Sequence, residues 1–337
     1  MEEELAFSAD DLAQLRFAVS PMWEVGTSFK LVRSGHEGHP VYGRWIAQVR
    51  PRWTAAGLDR GRLAELVPPS GYVPDFLNPA PAGPAPRLAA ELVAVRATPA
   101  GRVRAELDRL AREQGRLGPH LRALYDDPAD RLARLAEEIE TYWELALAPY
   151  WARIRAALDA DIRHRARQAA EFGAAHLLND LHTSATWAGS TLRLRRSRRR
   201  GLSRAAAGTG LVLVPSAFCG PGLLTRVSPP DPPQLAYPAR GTGTLWETRN
   251  ATGPAALAAV LGRSRTRLLA ELDTPASTTE LARRTALSAA GVSQSLTALR
   301  DAGLVSAHRA GRSVLYARTQ VADDLLTAPG QGASDGA

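Results

Sequence analysis

The chain has 337 residues, 45% of them hydrophobic, and a net charge of +8 from 42 basic and 34 acidic residues. That length suffices for two domains with cores of their own, and no uninterrupted apolar run of about 18 residues argues for a membrane span. The one cysteine, Cys219, excludes an intrachain disulfide and a multi-thiolate metal site within one chain. The acidic start, MEEELAFSADD, lacks the basic and apolar regions of a signal peptide, so a cytoplasmic, nucleoid-associated protein with no membrane contact is the expectation.

Taken in order, Ser8 with Asp11 resembles a capping box and predicts a helix through Val19. Pro21 opens a second helix, PMWEVGTSFKLVR, and PVYGRWIAQVRPRW reads as a third. Pro68 to Pro86 is rich in Pro and Gly, an extended loop whose Tyr72, Phe76 and Leu77 predict packing onto a core. Helices follow over Leu88 to Arg96 and Arg102 to Arg112. A long pair then runs from Ala129 to Leu147 and from Pro149 to Gly173, broken at the proline. After His182, TLRLR and GLVLVPS alternate about a basic loop and predict a hairpin with a long tip. PQLAYP and TGTLWE add two short strands.

The last third carries the clearest pattern. LAAVLGRSRTRLLAELD predicts one helix, with Leu257, Leu261, Leu268, Leu269 and Leu272 inward. TTELARRTA predicts a short helix capped by Thr278. Ser288 then caps AAGVSQSLTALRDA, whose Val292, Leu296 and Leu299 make one apolar face, and Gly303 stops it. LVSAHR and SVLYAR form a hairpin about Ala310, Gly311 and Arg312. Helix, turn, helix and basic hairpin in that order are a winged helix-turn-helix, which places its second helix in a DNA major groove.

The fold class expected is therefore mainly α with small antiparallel β. Residues 1–252 make a helical, effector-sensing and dimerising domain with a small sheet near 190–247. Residues 253–328 make the winged helix-turn-helix, and 329–337 a disordered tail. Positive charge is concentrated in two stretches. Leu257 to Arg318 holds nine arginines against four acids, and Arg193 to Arg204 holds seven with none, which leaves the remainder at −4. Concentrated positive charge suits a chain that meets DNA at restricted places. Lys30 is the single lysine, and the arginine bias reads as the mark of a GC-rich genome.

LSAAGVSQSLTALRDAGLV followed by AGRSVLYAR resembles the ArsR-type winged-helix transcriptional regulators, over Leu257 to Leu326 or about a fifth of the chain. The rest resembles, more loosely, the N-terminal domain of unknown function carried by large actinobacterial members of that family. The resemblance implies repression relieved by a ligand. Its metal sensors use cysteines on the first helix of the motif, and TTELARRTA has none, so the thiolate mode is absent.

The recognition-helix candidates are Ser288, Ala289, Ala290, Ser293, Gln294 and Thr297, off the apolar face. Small residues permit close approach, and Gln294 suits an adenine edge. The wing candidates are His308, Arg309 and Arg312, for phosphate or minor-groove contact. Thr278 and Thr279 sit at a helix N-terminus, as phosphate ligands or merely as a cap. The run Arg193 to Arg200 extends the DNA footprint or is a solvated tip. HEGH at His36 to His39 lacks helical metal spacing, so no metal and no cofactor are expected. Trp23, Tyr72, Phe76, Tyr142, Trp143 and Trp151 line an effector pocket or are plain core.

These residues point to a homodimeric, ligand-responsive DNA-binding regulator, with double-stranded DNA, a second copy and a small-molecule effector as partners. No catalytic motif is present, so an enzyme is not expected. The rival readings are an enzyme domain fused to a DNA-binding domain and a constitutive architectural DNA binder.

Overall fold

The run LVLVPS, Leu211–Ser216, forms a strand in which all six residues are buried. A strand covered on both faces belongs inside a parallel arrangement, and the computed structural model, which describes residues 2–35, 38–195, 204, 207–220, 222–246, 254–311 and 313–327, puts it there. The chain begins with β1 (Glu2–Ala6), α1 (Ala9–Ala13), β2 (Leu15–Phe17), α2 (Pro21–Ser34), α3 (Gly43–Ala55) and α4 (Arg62–Leu66). A helical stretch follows: α5 (Leu88–Arg96), α6 (Ala100–Gln114), α7 (Pro119–Asp126), α8 (Pro128–Ala146), α9 (Trp151–Phe172) and α10 (Ala174–Asp180). Then come β3 (Ala185–Ala188), β4 (Thr191–Arg195), β5 (Leu211–Ser216), β6 (Leu224–Arg226) and β7 (Gln234–Pro238). The C-terminal part holds α11 (Pro254–Leu261), α12 (Arg263–Glu271), β8 (Ala276–Ser277), α13 (Thr278–Thr285), α14 (Ala289–Asp301), β9 (Val305–Ala310), β10 (Ser313–Arg318) and α15 (Gln320–Thr327). The fold is mainly α with small sheets.

Two compact units result. The first comprises Met1–Ala47, Gly57–Ile139 and Ala157–Thr242, the second Gln48–Ala56, Glu140–Ala156 and Gly243–Ala337. The second unit thus holds, beside the winged region, two segments from earlier in the chain.

Before α11 the chain differs from expectation in three places. Ser8 does form a capping box with Asp11, its hydroxyl accepting from the Asp11 amide at 3.1 Å. The helix nevertheless ends at Ala13, because Leu15–Phe17 pairs in parallel with β5. TLRLR and GLVLVPS are both strands but not partners. β4 lies between β1 and β3 in an antiparallel sheet, and β5 lies between β2 and β7 in a mixed sheet ordered β2-β5-β7-β6. The expected strand TGTLWE is a 3-10 turn over Thr242–Trp246. As expected, Tyr72, Phe76 and Leu77 are buried in the loop before α5, and Pro149 lies in the 3-10 turn between α8 and α9.

In the second unit Leu268, Leu269, Leu272, Leu281, Val292, Leu296 and Leu299 make one core, with Leu257 and Leu261 packed against it. The expected single helix across Gly262 is two, since Gly262 takes φ 84° between α11 and α12. Beneath the motif Arg153 and Arg318 meet Asp273 and Asp323, with Arg318 Nε 2.8 Å and Arg153 Nε 3.1 Å from Asp323. The expected tail 329–337 lies outside the described residues.

Candidate nucleic-acid interface

α13 begins where a capping box permits it. The cap is Ser277, one residue before the expected Thr278. Its hydroxyl accepts from the Glu280 amide at 3.3 Å, and its own amide donates to the Glu280 carboxylate at 2.7 Å. Ser277 and Glu280 form a reciprocal pair, which a lone Thr cap would lack. Burial opposes the charge on Glu280, yet the Ser277 amide and hydroxyl, with Arg52 and Arg284, hold its carboxyl below the ordinary range. Thr278 and Thr279 become the first two helical residues, half-buried and exposed respectively.

The turn into α14 passes through Ala286, the one described residue other than glycine with positive φ, at 53°. Ser288 caps α14 by accepting from the Gly291 amide at 3.1 Å. Along α14, Val292, Leu296 and Leu299 are buried. Ser288, Ala289, Ala290, Ser293, Gln294 and Thr297 are all exposed, so the helix presents a continuous small and polar face. The Thr297 hydroxyl donates back to the Ser293 carbonyl at 3.0 Å, which leaves its methyl group and acceptor lone pairs outward. Gly303, at φ 71°, ends the helix as expected.

The wing is the β9–β10 ribbon, with His308 opposite Leu315 and Arg309 opposite Val314. Alternation across the pleat separates two residues that the sequence grouped. Arg309 is exposed. His308 faces the other side, half-buried, with Nε2 2.8 Å from the Ser306 hydroxyl and Nδ1 3.7 Å from the Glu144 carboxylate. Arg312 lies outside the described residues. Arg283 and Arg284, exposed in the last turn of α13, were not singled out from the sequence. The signal was their place beside the helix-turn-helix turn.

Of the run Arg193 to Arg200, residues 196–200 lie outside the described residues. Arg193 pairs with Glu4 at 2.9 Å, and the Arg195 guanidinium donates to the Thr183 carbonyl at 3.2 Å. Arg204, which ends the basic stretch, grips Asp11 with two donors at 2.8 Å, stacks on Phe7 and holds the Asp11 carboxyl far below its ordinary range. These arginines serve local structure.

The aromatic set does not assemble as one group. Trp23, Tyr72 and Phe76 belong to the first unit, and Tyr142, Trp143 and Trp151 to the second. Trp143 and Trp151 meet edge to face at 4.8 Å. Tyr142, Tyr72 and Phe76 are buried in core. Trp23 lines a cavity of about 60 Å³. Of the HEGH sequence, His36 and Glu37 lie outside the described residues, and His39 accepts from the Val41 and Tyr42 amides. Cys219 is buried, its thiol donating to the Gly222 carbonyl at 3.1 Å and pushed up to about 12 by burial. That is a packed side chain and not a reactive thiolate. No helix among the described residues is long and apolar enough to cross a membrane.

Comparison with known proteins agrees with this geometry. Residues 266–307, from α12 into the wing, match the bacterial regulatory protein, arsR family, and residues 94–243 match a family of unknown function (DUF5937). No curated protein and no solved structure matches the chain. The chain thus carries an ArsR-family helix-turn-helix domain at its C-terminal end, which follows a domain of unknown function.

Proposed function

We propose that this DNA-binding transcriptional regulator acts as a homodimer, and that a small molecule held by the first unit relieves repression. The observation that carries the DNA contact is the face of α14. Six exposed residues, none larger than Gln294, lie opposite a fully buried apolar stripe. Such a face can lie flat against base edges, with Gln294 able to pair bidentately with adenine. Arg309 supplies phosphate or minor-groove contact, Arg283 and Arg284 add phosphate contact beside it, and the amides at Thr278 and Thr279 face the backbone. A dimer suits the surface of the second unit, where α11 and α15 pack on each other and leave Val260, Val321 and Leu325 exposed at 81%, 57% and 39%. Two such copies would address half-sites one helical turn apart.

Control by a ligand requires that the ligand favour one arrangement of the DNA-binding units over another. A titration of the chain against its own promoter region and against scrambled DNA, at two salt concentrations, tests the reading. A specific complex is expected, weakened by Gln294→Ala at particular base pairs. Arg309→Ala should instead reduce affinity for all sequences and lower the salt slope by about one. Equal weak binding to both DNAs would sink operator recognition. Sedimentation of wild type against Val321→Asp tests the dimer.

A further inference from the structure

The chain holds 42 basic residues, and only Lys30 is a lysine. A bias strong enough to make every other cation arginine leaves this one in place. The structure puts Lys30 on the wall of a cavity in the first unit, about 60 Å³ in volume, between α2, the loop before α5 and β6. A compact ammonium fits a small site that a planar guanidinium would fill.

Two further observations point to an occupant. Asn78 lines the cavity and is 93% buried, being 7% exposed. Its backbone is fully engaged, the amide donating to the Asp75 carbonyl at 3.1 Å and the carbonyl accepting from Gln234 at 3.1 Å. Its side-chain Oδ1 has no hydrogen-bond partner. A buried acceptor left unmade is costly, and a ligand donor would relieve it. Gly26, in the middle of α2, lines the same cavity. It has no positive φ, and the nearest atom to a methyl group built there is Asn78 Oδ1, at 4.0 Å. Neither backbone nor packing asks for glycine, and alanine would strengthen the helix. What glycine preserves is open space in front of Oδ1.

The remaining walls decide the chemistry. Lys30 and Asp75 supply opposite charges, and Trp23, Val73 and Leu224 supply an apolar side. A water molecule needs about 10–15 Å³ of such space, so the cavity takes a handful of non-hydrogen atoms. We infer that the cavity binds a small zwitterionic amino acid, with its carboxylate on Lys30, its ammonium on Asn78 Oδ1 and Asp75, and its short carbon chain against Trp23. The site gives the ligand-controlled reading above its effector, and rests on that reading for its purpose.

Calorimetric titration of the full chain with glycine, L-alanine, L-serine, β-alanine and 4-aminobutyrate tests the site, with acetate and ethylammonium as single-charge controls. At least one zwitterion should bind with millimolar or tighter affinity, and the controls should not. Gly26→Ala keeps every polar group and favours the helix, so its fold is secure. It should weaken binding about tenfold or more, as should Lys30→Met and Lys30→Arg. No binding by any zwitterion, or binding unchanged in Gly26→Ala and Lys30→Met, overturns the inference. Binding that leaves promoter affinity unaltered supports the site and overturns ligand control, so the two failures are distinct.

Discussion

The two units differ in how far their buried charge is paired. The second gathers Arg153, Arg318, Asp273 and Asp323, so that each arginine meets both carboxylates within 3.4 Å. Arginine cannot shed its proton inside a protein, so its burial demands partners. Burial works against the charge on Arg153, but Asp323 and Asp273 outweigh it and hold the guanidinium above its ordinary value. The first unit holds paired charges as well, Arg226 with Asp231 and Arg165 with Asp161 and Asp180, but it also isolates acids. Glu24 is fully buried on α2, accepting from the Ala217 amide at 3.0 Å, and burial pushes its carboxyl up to about 8. Glu91 accepts from the Met22 amide at 2.8 Å and is pushed up to about 7 by the same cause. A carboxyl can escape desolvation by keeping its proton. The first unit should therefore respond to pH near neutrality, while the stability of the second should depend on keeping its charges matched.

The largest effect that would break this contrast is Asp323→Ala. It leaves two buried guanidinium groups to share Asp273, and a loss of about 3–5 kcal/mol is expected, read from the urea midpoint of the full chain. A loss under 1 kcal/mol would mean that water replaces the aspartate and that the network is not tightly held. Next comes Glu24→Gln. In the unfolded chain Glu24 and Glu91 titrate near 4.5. Between there and about 8 the folded state binds more protons than the unfolded one. Stability from these groups is therefore full below pH 4.5 and is lost as pH rises through 7 and 8. Gln keeps an acceptor for Ala217 without the proton, so the variant should be more stable than wild type at pH 8, by about 3 kcal/mol, and similar to it at pH 5. The slope left in the variant belongs to Glu91. An unchanged slope would refute the isolated-acid account.

The same contrast explains what the sequence disclosed. In the second unit most local signals agreed with the fold, the helix expected across Gly262 excepted. The spacing of Val292, Leu296 and Leu299, the cap at Ser288, the stop at Gly303 and the alternation of the wing are short-range features, each settled within one helix or ribbon. The near miss at Thr278 came from a neighbouring serine that offered the same chemistry. In the first unit the decisive pairings are long-range. β2 meets β5 across nearly 200 residues of sequence, and a three-residue strand has no periodicity to see. LVLVPS was read as half-buried alternation, although a strand buried on both faces carries the same letters. Among the polar members of the cavity, Lys30 lies 45 residues before Asp75 and Asn78 follows three residues after it, and only Trp23 among the cavity's residues is a pocket candidate by sequence. His308 and Arg309 were grouped because they are adjacent, which in a strand puts them on opposite faces.

Two smaller effects sharpen the view that the second unit is locally determined. Ser277→Ala removes one half of the capping box of α13 and should cost about 1 kcal/mol, with hydrogen exchange raised in the first turn of that helix alone. Exchange raised across the unit would make the cap a global element.

Ala286 is the remaining case, because here local preference opposes the fold. Its φ of 53° lies in the left-handed region, where a Cβ crowds the following carbonyl at a cost of about 1 kcal/mol. The side chain is exposed, so its removal forfeits no packing. Ala286→Gly relieves the strain, while glycine gives the unfolded chain freedom worth about half as much. The net expectation is a gain of about 0.5 kcal/mol in urea unfolding, with affinity for promoter DNA unchanged, since the spacing of α13 and α14 is kept. A gain in stability with a loss of DNA affinity would show that the strained turn holds α14 at the angle the groove requires.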